Sequence, residues 1–337
     1  MSTSDIACVA TRPPPIGRRA VSRSAGLVLG FVADRLLGDP RRGHPVAGFG
    51  QLAGALERAW WRDHRAAGTA YVVVLVGGAA GTGLLAEQVR RPLPHTLLVG
   101  VATWAVLGGR SLDREVAEVE RLLRAGDLPG ARTRLRNLVG RDTSRLEEPE
   151  VVRASLESLA ENTSDAVVSS LVWGALAGMP GLLAHRAANT LDAMVGHRST
   201  RHRRFGWAAA RLDDLLNLPG SRLSAAVTVL VGPDRAGALL AWRRDAAAHP
   251  SPNAGPVEAA VAGALGLRLG GRNVYGSAED QWVEERAPMG DGRAPEVADL
   301  RRARRLALAV DLGSLAVAVA VAGVVQRRGR LNRCRPT

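Results

Sequence analysis

Carboxylates and amides gather at four places along the chain, each beside an apolar stretch. The first holds Asp34 and Asp39, in Gly38-Asp39-Pro40, followed by His44-Pro45-Val46. The two prolines keep Asp39 and His44 extended rather than helical. Two aspartates closing an apolar run are expensive unless ligated or paired, although a polar helix end with a turn reads the same residues equally well. The second holds Glu157, Glu161 and Asp165, spaced i, i+4, i+8 so that a helix puts all three on one face. Three like charges there repel unless a cation or an arginine compensates, and such a stripe suits a hard cation such as Mg²⁺. An acidic helix start would explain Asp165 well and Glu157 poorly.

The third place runs from His185, Asn189-Thr190-Leu191-Asp192 and Gly196-His197-Arg198 to Arg211-Leu212-Asp213-Asp214 and Asn217. On a helix His185, Asn189 and Asp192 share one face; Trp207, Arg211 and Asp214 share another. Arg198, Arg201, Arg203 and Arg204 form a basic cluster suited to phosphate. The fourth is Ser251-Pro252-Asn253-Ala254-Gly255, a small-residue helix from Glu258, and the turn Gly270-Gly271-Arg272-Asn273, whose backbone amides suit an anion.

Among 45 basic residues there is no lysine. This excludes a Walker-type phosphate loop, a Schiff base and an adenylated lysine. Any phosphate handled here must be held by arginine and metal. The net charge of +13 suggests nucleic acid, but the arginines are scattered among acids and only three Phe, two Tyr and seven Trp offer stacking. Two cysteines, Cys8 and Cys334, supply neither a disulfide framework nor metal-ligand spacing.

Six apolar stretches must position these groups: residues 25–37, 69–86, 93–109, 166–184, 223–241 and 306–325. A membrane core takes about 20 apolar residues to span. The last stretch meets that length with one charge, Asp311, and the second and third read as a helical hairpin through a membrane. Gly77–Gly81 and Gly174–Gly178 have the spacing of close helix packing in lipid. The stretch at 166–184 contains Gly178, Pro180 and Gly181, and the one at 223–241 is interrupted by Gly232-Pro233-Asp234-Arg235. If all six spanned, Asp39 and Glu161 would face one side and Asp192 and Asp213 the other. A single site therefore predicts that 25–37 and 166–184 are broken or interfacial, with residues 50 and 205 on one side. Arginines near both ends put both termini in the cytoplasm. The expected architecture is all-α: a polytopic integral membrane protein with broken or re-entrant helices and long polar loops. One membrane-embedded domain covers 25–325, with a polar helical insertion at about 110–165, between basic disordered tails at 1–24 and 326–337.

These motifs resemble the adenosylcobinamide-phosphate synthase (CobD/CbiB) family of cobalamin biosynthesis. Gly38-Asp39-Pro40…His44-Pro45-Val46, Ala160-Glu161-Asn162-Thr163-Ser164-Asp165, Asn189-Thr190-Leu191-Asp192…Met194-Val195-Gly196, Arg211-Leu212-Asp213-Asp214 and Ser251-Pro252-Asn253-Ala254-Gly255 occur in the family's order. The chain departs from the family near Ala166 and Ser170, at His197 and near Pro256.

The resemblance implies an ATP-dependent amide ligase in the cytoplasmic membrane, acting with Mg²⁺. Its substrates would be adenosylcobyric acid and aminopropanol or its O-phosphate. Its partners would be the lipid bilayer and other cobalamin-pathway enzymes, without nucleic acid. On that reading Asp39, Glu161 and Asp165 hold the metal, with Asp192, Asp213 and Asp214 as further candidates. Asp39, Glu161 and Asp213 carry the chemistry with His44 as base, while Arg198, Arg211, Asn189, Asn253 and Asn273 bind the nucleotide or phosphate. The competing reading is a small membrane transporter, which also uses intramembrane acids and broken helices.

Overall fold

The computed structural model describes residues 17–40, 43–197, 199–275 and 282–331. Twelve α-helices account for most of them. The first four are α1 (Gly17–Leu37), α2 (Pro45–Trp60), α3 (Arg65–Ala86) and α4 (Pro92–Val106). Then come α5 (Gly109–Arg124), α6 (Leu128–Leu135), α7 (Glu148–Asn162) and α8 (Ser169–Leu191). The last are α9 (Trp207–Val231), α10 (Arg235–Asp245), α11 (Ala254–Leu265) and α12 (Val297–Leu331). Wider π-helical turns occupy Thr163–Val168 and Asp192–Gly196, one at each end of α8. The architecture is all-α, with one departure: β1 (Leu269–Tyr275) and β2 (Trp282–Met289) pair antiparallel. The sequence shows no sustained alternation there and predicts a loop-rich region where this hairpin stands.

Among the described residues three segments are long and apolar enough to cross a membrane: Arg65–Ala86, Glu148–Gly196 and Val297–Gln326. Large apolar side chains on α1, α3, α4 and α12, among them Val32, Val73, Leu85, Val101, Leu312 and Val324, face outward. That outward belt is what lipid rather than water rewards.

The segment 166–184 doubles back on itself. At Gly178 the backbone leaves the helical region (φ 70, ψ −151), and Pro180 follows. Ser170 Oγ lies 3.2 Å from His185 Nδ1. In a straight helix fifteen residues would separate those groups by about 22 Å. Residues 169–177 and 179–191 are thus two limbs of a re-entrant hairpin, as the Gly and Pro content predicts. Glu87, in the turn after α3, clamps the bend by accepting from the Met179 N–H (3.1 Å) and from Arg23 (3.4 Å).

Other expectations are corrected. The stretch 25–37 is not broken: α1 is continuous from Gly17, inside the expected N-terminal tail, and runs parallel to α4 with Gly26 against Val99 and Gly30 against Thr103. The expected α3–α4 hairpin is not a packed pair, because α4 lies along α1 and α3 along the second limb of α8. The stretch 223–241 is two helices, parted at Gly232–Asp234. Gly77 and Gly81 face open space, whereas Gly174 packs on Leu27.

α12 runs antiparallel to α1, tied by Arg35 to Asp311 near one end and Ser24 Oγ to Val319 O (3.3 Å) near the other. The start of α1, the turn after α3, the bend at Gly178 and the end of α12 therefore share one end of the bundle. Asp39, both π-helical turns and the start of α9 share the opposite end. Residues 50 and 205 both lie there, as expected: Gly50 approaches Met194, and Phe205 packs on Tyr71. A second core covers that end, built from α5, α6, α7, α11, the first turns of α12 and the hairpin around Val119, Leu135, Leu156 and Leu300.

Candidate active site

The re-entrant hairpin brings together carboxylates that are far apart in sequence. Asp165 leads into its first limb and Asp192 follows its second, so reversal at Gly178 returns Asp192 to Asp165. α9 lies across both limbs: Trp173 Nε1 donates to Leu216 O (2.8 Å), His185 Nε2 sits 2.9 Å from Asn217 Oδ1, and Asn189 Nδ2 donates to Asp213 Oδ1 (3.3 Å). Asp213 and Asp214 thereby join the cluster, and Glu161 reaches it from the end of α7. Asp165 lies within the electrostatic reach of Asp213, Glu161 and Asp192, and Asp192 within that of Asp214 and Glu161. Burial, and next the charge of Asp192, raise the Asp213 carboxyl to about 7.

π-helical turns hold both loop aspartates. Such a turn widens the helix by one residue and re-aims its side chains, a device frequent at functional sites. Here it begins after Glu161, so Glu157 and Glu161 keep their i, i+4 relation on α7 and Asp165 alone is re-aimed from the expected i, i+4, i+8 stripe. The Glu157 carboxylate is held by its own partners. It is buried against Arg141 (2.6 Å) and Arg153 (3.5 Å) and accepts from the Gly270 N–H (3.0 Å). Asn273 Oδ1 accepts from Arg141, so Asn273 belongs to this lock between α7 and the β-hairpin.

Asn253 is similarly engaged: its Oδ1 accepts from Ser221 (3.0 Å) and Arg222 (3.0 Å), and its Nδ2 donates to Asp214 O (2.8 Å). It fixes the backbone under the cluster. Arg211 is exposed and pairs with Asp214 at 3.7 Å. Arg198 lies outside the described residues.

Asp39 follows α1, with Oδ1 3.4 Å from His44 Nε2. His44 caps α2, its Nδ1 accepting from the Val46 N–H at 3.1 Å. That bond occupies Nδ1, while Nε2 faces Asp39 Oδ1 without a hydrogen bond to it.

Sequence reasoning passed over three groups. Glu258 is fully buried with both oxygens lacking a hydrogen bond, between Arg286 (3.6 Å) and His249 (3.7 Å). Burial first, then Glu157 and Glu161, push its carboxyl well above the usual range. Arg286 comes from β2 and also pairs with Glu284 at 2.8 Å. Arg186, on the second limb of α8, lies within the electrostatic reach of Asp39 but beyond ion-pair distance. A lone Glu in a small-residue helix and a lone Arg in an apolar one carry no local signal.

Among the described residues no three His, Cys, Asp or Glu side chains form a preformed metal cage. Mg²⁺ does not require one, since it binds through one or two carboxylates with phosphates and waters completing the shell. Converging oxygen donors with few arginine partners fit such a hard cation.

The sequence profile of the CobD/CbiB protein family matches residues 27–307, which contain every group of the candidate site. The chain belongs to the CobD/CbiB family. It is 48% identical over 302 residues to the cobalamin biosynthesis protein CobD of Mycobacterium tuberculosis, covering 88% of this chain and 95% of that protein. The CobD of Rhodobacter capsulatus is 44% identical over 291 residues, covering 83% and 91%. That of Chromobacterium violaceum is 43% identical over 287 residues, covering 83% and 90%. No solved structure matches the chain. As a CobD/CbiB protein it is an enzyme of cobalamin biosynthesis, and its apolar helices give it the character of a membrane protein.

Proposed function

We propose that the protein is an ATP-dependent amide ligase. It would join the propionate carboxylate of adenosylcobyric acid to (R)-1-aminopropan-2-ol or its O-phosphate, yielding adenosylcobinamide or its phosphate. The observation that carries this reading is the convergence of Glu161, Asp165, Asp192, Asp213 and Asp214 at one end of the bundle.

A carboxylate is a poor electrophile until activated, most simply as an acyl phosphate. Mg²⁺, when bound with ATP, supplies charge neutralisation on the phosphoryl group being moved. Glu161, Asp165 and Asp192 would hold it, with Asp39 and Asp214 as outer candidates. The incoming amine attacks the acyl carbon, the C–N bond forms and the C–O bond to phosphate breaks. Asp213, raised to about 7, is matched to receiving the amine's proton near neutrality. Asn189 orients Asp213, and His44, whose Nε2 stands 3.4 Å from Asp39, is the alternative base.

The reaction draws on cytoplasmic ATP, so the carboxylate end would face the cytoplasm. The start of α1 and the end of α12 lie at the other end of the bundle. Cytoplasmic termini and a cytoplasmic ATP site are thus alternatives, and we favour the latter, in a multi-pass cytoplasmic-membrane protein.

The test is an assay of detergent-solubilised protein with adenosylcobyric acid, Mg-ATP and either amine. Amide product with one ATP consumed per bond is expected; intact ATP and no amide would overturn the reading, as would ATP-independent movement of a solute in vesicles.

A further inference from the structure

Arg186 differs from every other inward-facing arginine among the described residues. It sits on the returning limb of the re-entrant hairpin, between His185, which meets Asn217, and Asn189, which meets Asp213. Its side chain is half-buried and its Nε has no hydrogen-bond partner. Among the described residues no carboxylate comes within 4.0 Å of it. Every other described arginine that is not exposed has one that close: Arg23, Arg35, Arg110, Arg132 and Arg134 at the bundle and the polar cap, and Arg141, Arg153, Arg286 and Arg304 around α7 and the hairpin. The charge Arg186 senses is that of Asp39, beyond ion-pair distance.

A half-buried guanidinium with its Nε buried and unpartnered is costly, and more so on a limb surrounded by apolar helices. It braces nothing, because no described group accepts from it. It does not neutralise the acids, because it is paired with none of them. Such a charge is stabilised when an anion arrives, and the planar fork of arginine grips a phosphate through two parallel hydrogen bonds. With no lysine in the chain, Arg186 is the inward-facing arginine among the described residues that has no carboxylate within 4.0 Å.

We propose that Arg186 grips a phosphate group of the bound substrates at the carboxylate end of the re-entrant hairpin. This rests on the ligase reading for the identity of the phosphate, which comes from ATP or from the O-phosphate of the amine.

The experiment uses the full chain in detergent and the variants Arg186→Gln and Arg186→Lys. Binding of a fluorescent, non-hydrolysable ATP analogue with Mg²⁺ is measured directly, alongside KM for aminopropanol and for its O-phosphate and the thermal midpoint. The affinity for the phosphate-bearing ligand should fall ~10- to 100-fold in Arg186→Gln, the worth of a charge-assisted contact, and return in part with lysine. The midpoint should hold or rise, since an unpaired charge is removed. If ATP is the source, analogue binding weakens and both amines keep their KM. If the ester is the source, only the KM of aminopropanol O-phosphate rises. Unchanged affinity for both ligands overturns the proposal, and so does a lowered midpoint, which would make Arg186 a structural residue. A wild type that forms no amide yet binds the analogue through Arg186 would leave the phosphate grip standing and overturn the ligase reading. A wild type that does neither overturns both.

Discussion

Two polar regions meet at Glu161, and they handle charge in opposite ways. Around α7 and the β-hairpin, acid is matched by arginine: Glu157 with Arg141 and Arg153, Glu284 with Arg286. Across the re-entrant hairpin and α9, Asp165, Asp192 and Asp213 crowd one another, and the nearby Arg186 pairs with none of them. A matched buried pair holds elements together, and breaking it is punished. An unmatched cluster gives up stability and makes sense only if something else binds there. We read the first region as framework and propose the second as the site.

The largest contrast should come from Glu161→Gln. It removes one carboxylate from the unmatched cluster, so amide synthesis should fall at least about 100-fold while the thermal midpoint holds. Full activity in a folded variant would remove Glu161 from the site. Arg141→Gln should do the reverse. It leaves Glu157 buried and unpaired at a cost of about 3–5 kcal/mol, read as a lower midpoint and faster proteolysis of the β-hairpin. Activity per folded molecule should change far less than the yield of folded protein.

Gly178→Ala tests the bend that joins the two halves of the cluster. At φ 70, ψ −151 a side chain is strained by about 1–3 kcal/mol, and the added Cβ meets Glu87 and Arg23. The expected result is a lower midpoint with weaker Mg-nucleotide binding, measured on the same sample. A variant with unaltered binding would show that the two limbs need not meet.

Asp213 predicts a pH dependence. Its folded carboxyl is raised to about 7 from an ordinary value of 3.8, so the folded state binds more protons between those limits. Its contribution to stability is thus fully present below the ordinary value and lost as pH rises through about 7. Asp213→Asn should flatten that loss, seen as a smaller fall of the midpoint on going from mildly acidic to mildly alkaline buffer. The smallest effect belongs to Arg211→Ala. Its exposed pair with Asp214 is worth less than about 1 kcal/mol, and a larger midpoint shift would promote Arg211 from the rim.

How much of this is legible in the sequence depends on how local each feature is. Gly178 and Pro180 announce a break wherever they occur, so the re-entrant hairpin can be read from them. Glu161 and Asp165 can be read from their spacing, and the outward belt from its apolar runs. Glu157 shares that spacing and misleads, because its partners Arg141 and Gly270 arrive from distant segments. Asn253 and Asn273 look like ligand donors for the same reason. Their hydrogen bonds to Asp214 O and from Arg141 exist only once the chain has folded. The β-hairpin escapes because β1 opens on Gly270 and Gly271, both at positive φ, and β2 alternates too weakly to declare itself. Arg186 cannot be found at all, since what distinguishes it is the lack of a carboxylate at pairing distance.

The claim that the unmatched carboxylates exist to hold a cation with its nucleotide is tested most directly by Mg²⁺-dependent binding of a non-hydrolysable ATP analogue. It should be measured by calorimetry on the detergent-solubilised wild type and on Asp165→Asn. Saturable binding that requires Mg²⁺ is expected in the wild type, and its loss is expected in the variant at an unchanged or higher thermal midpoint. Equal binding by the two proteins, or binding indifferent to Mg²⁺, would contradict the claim.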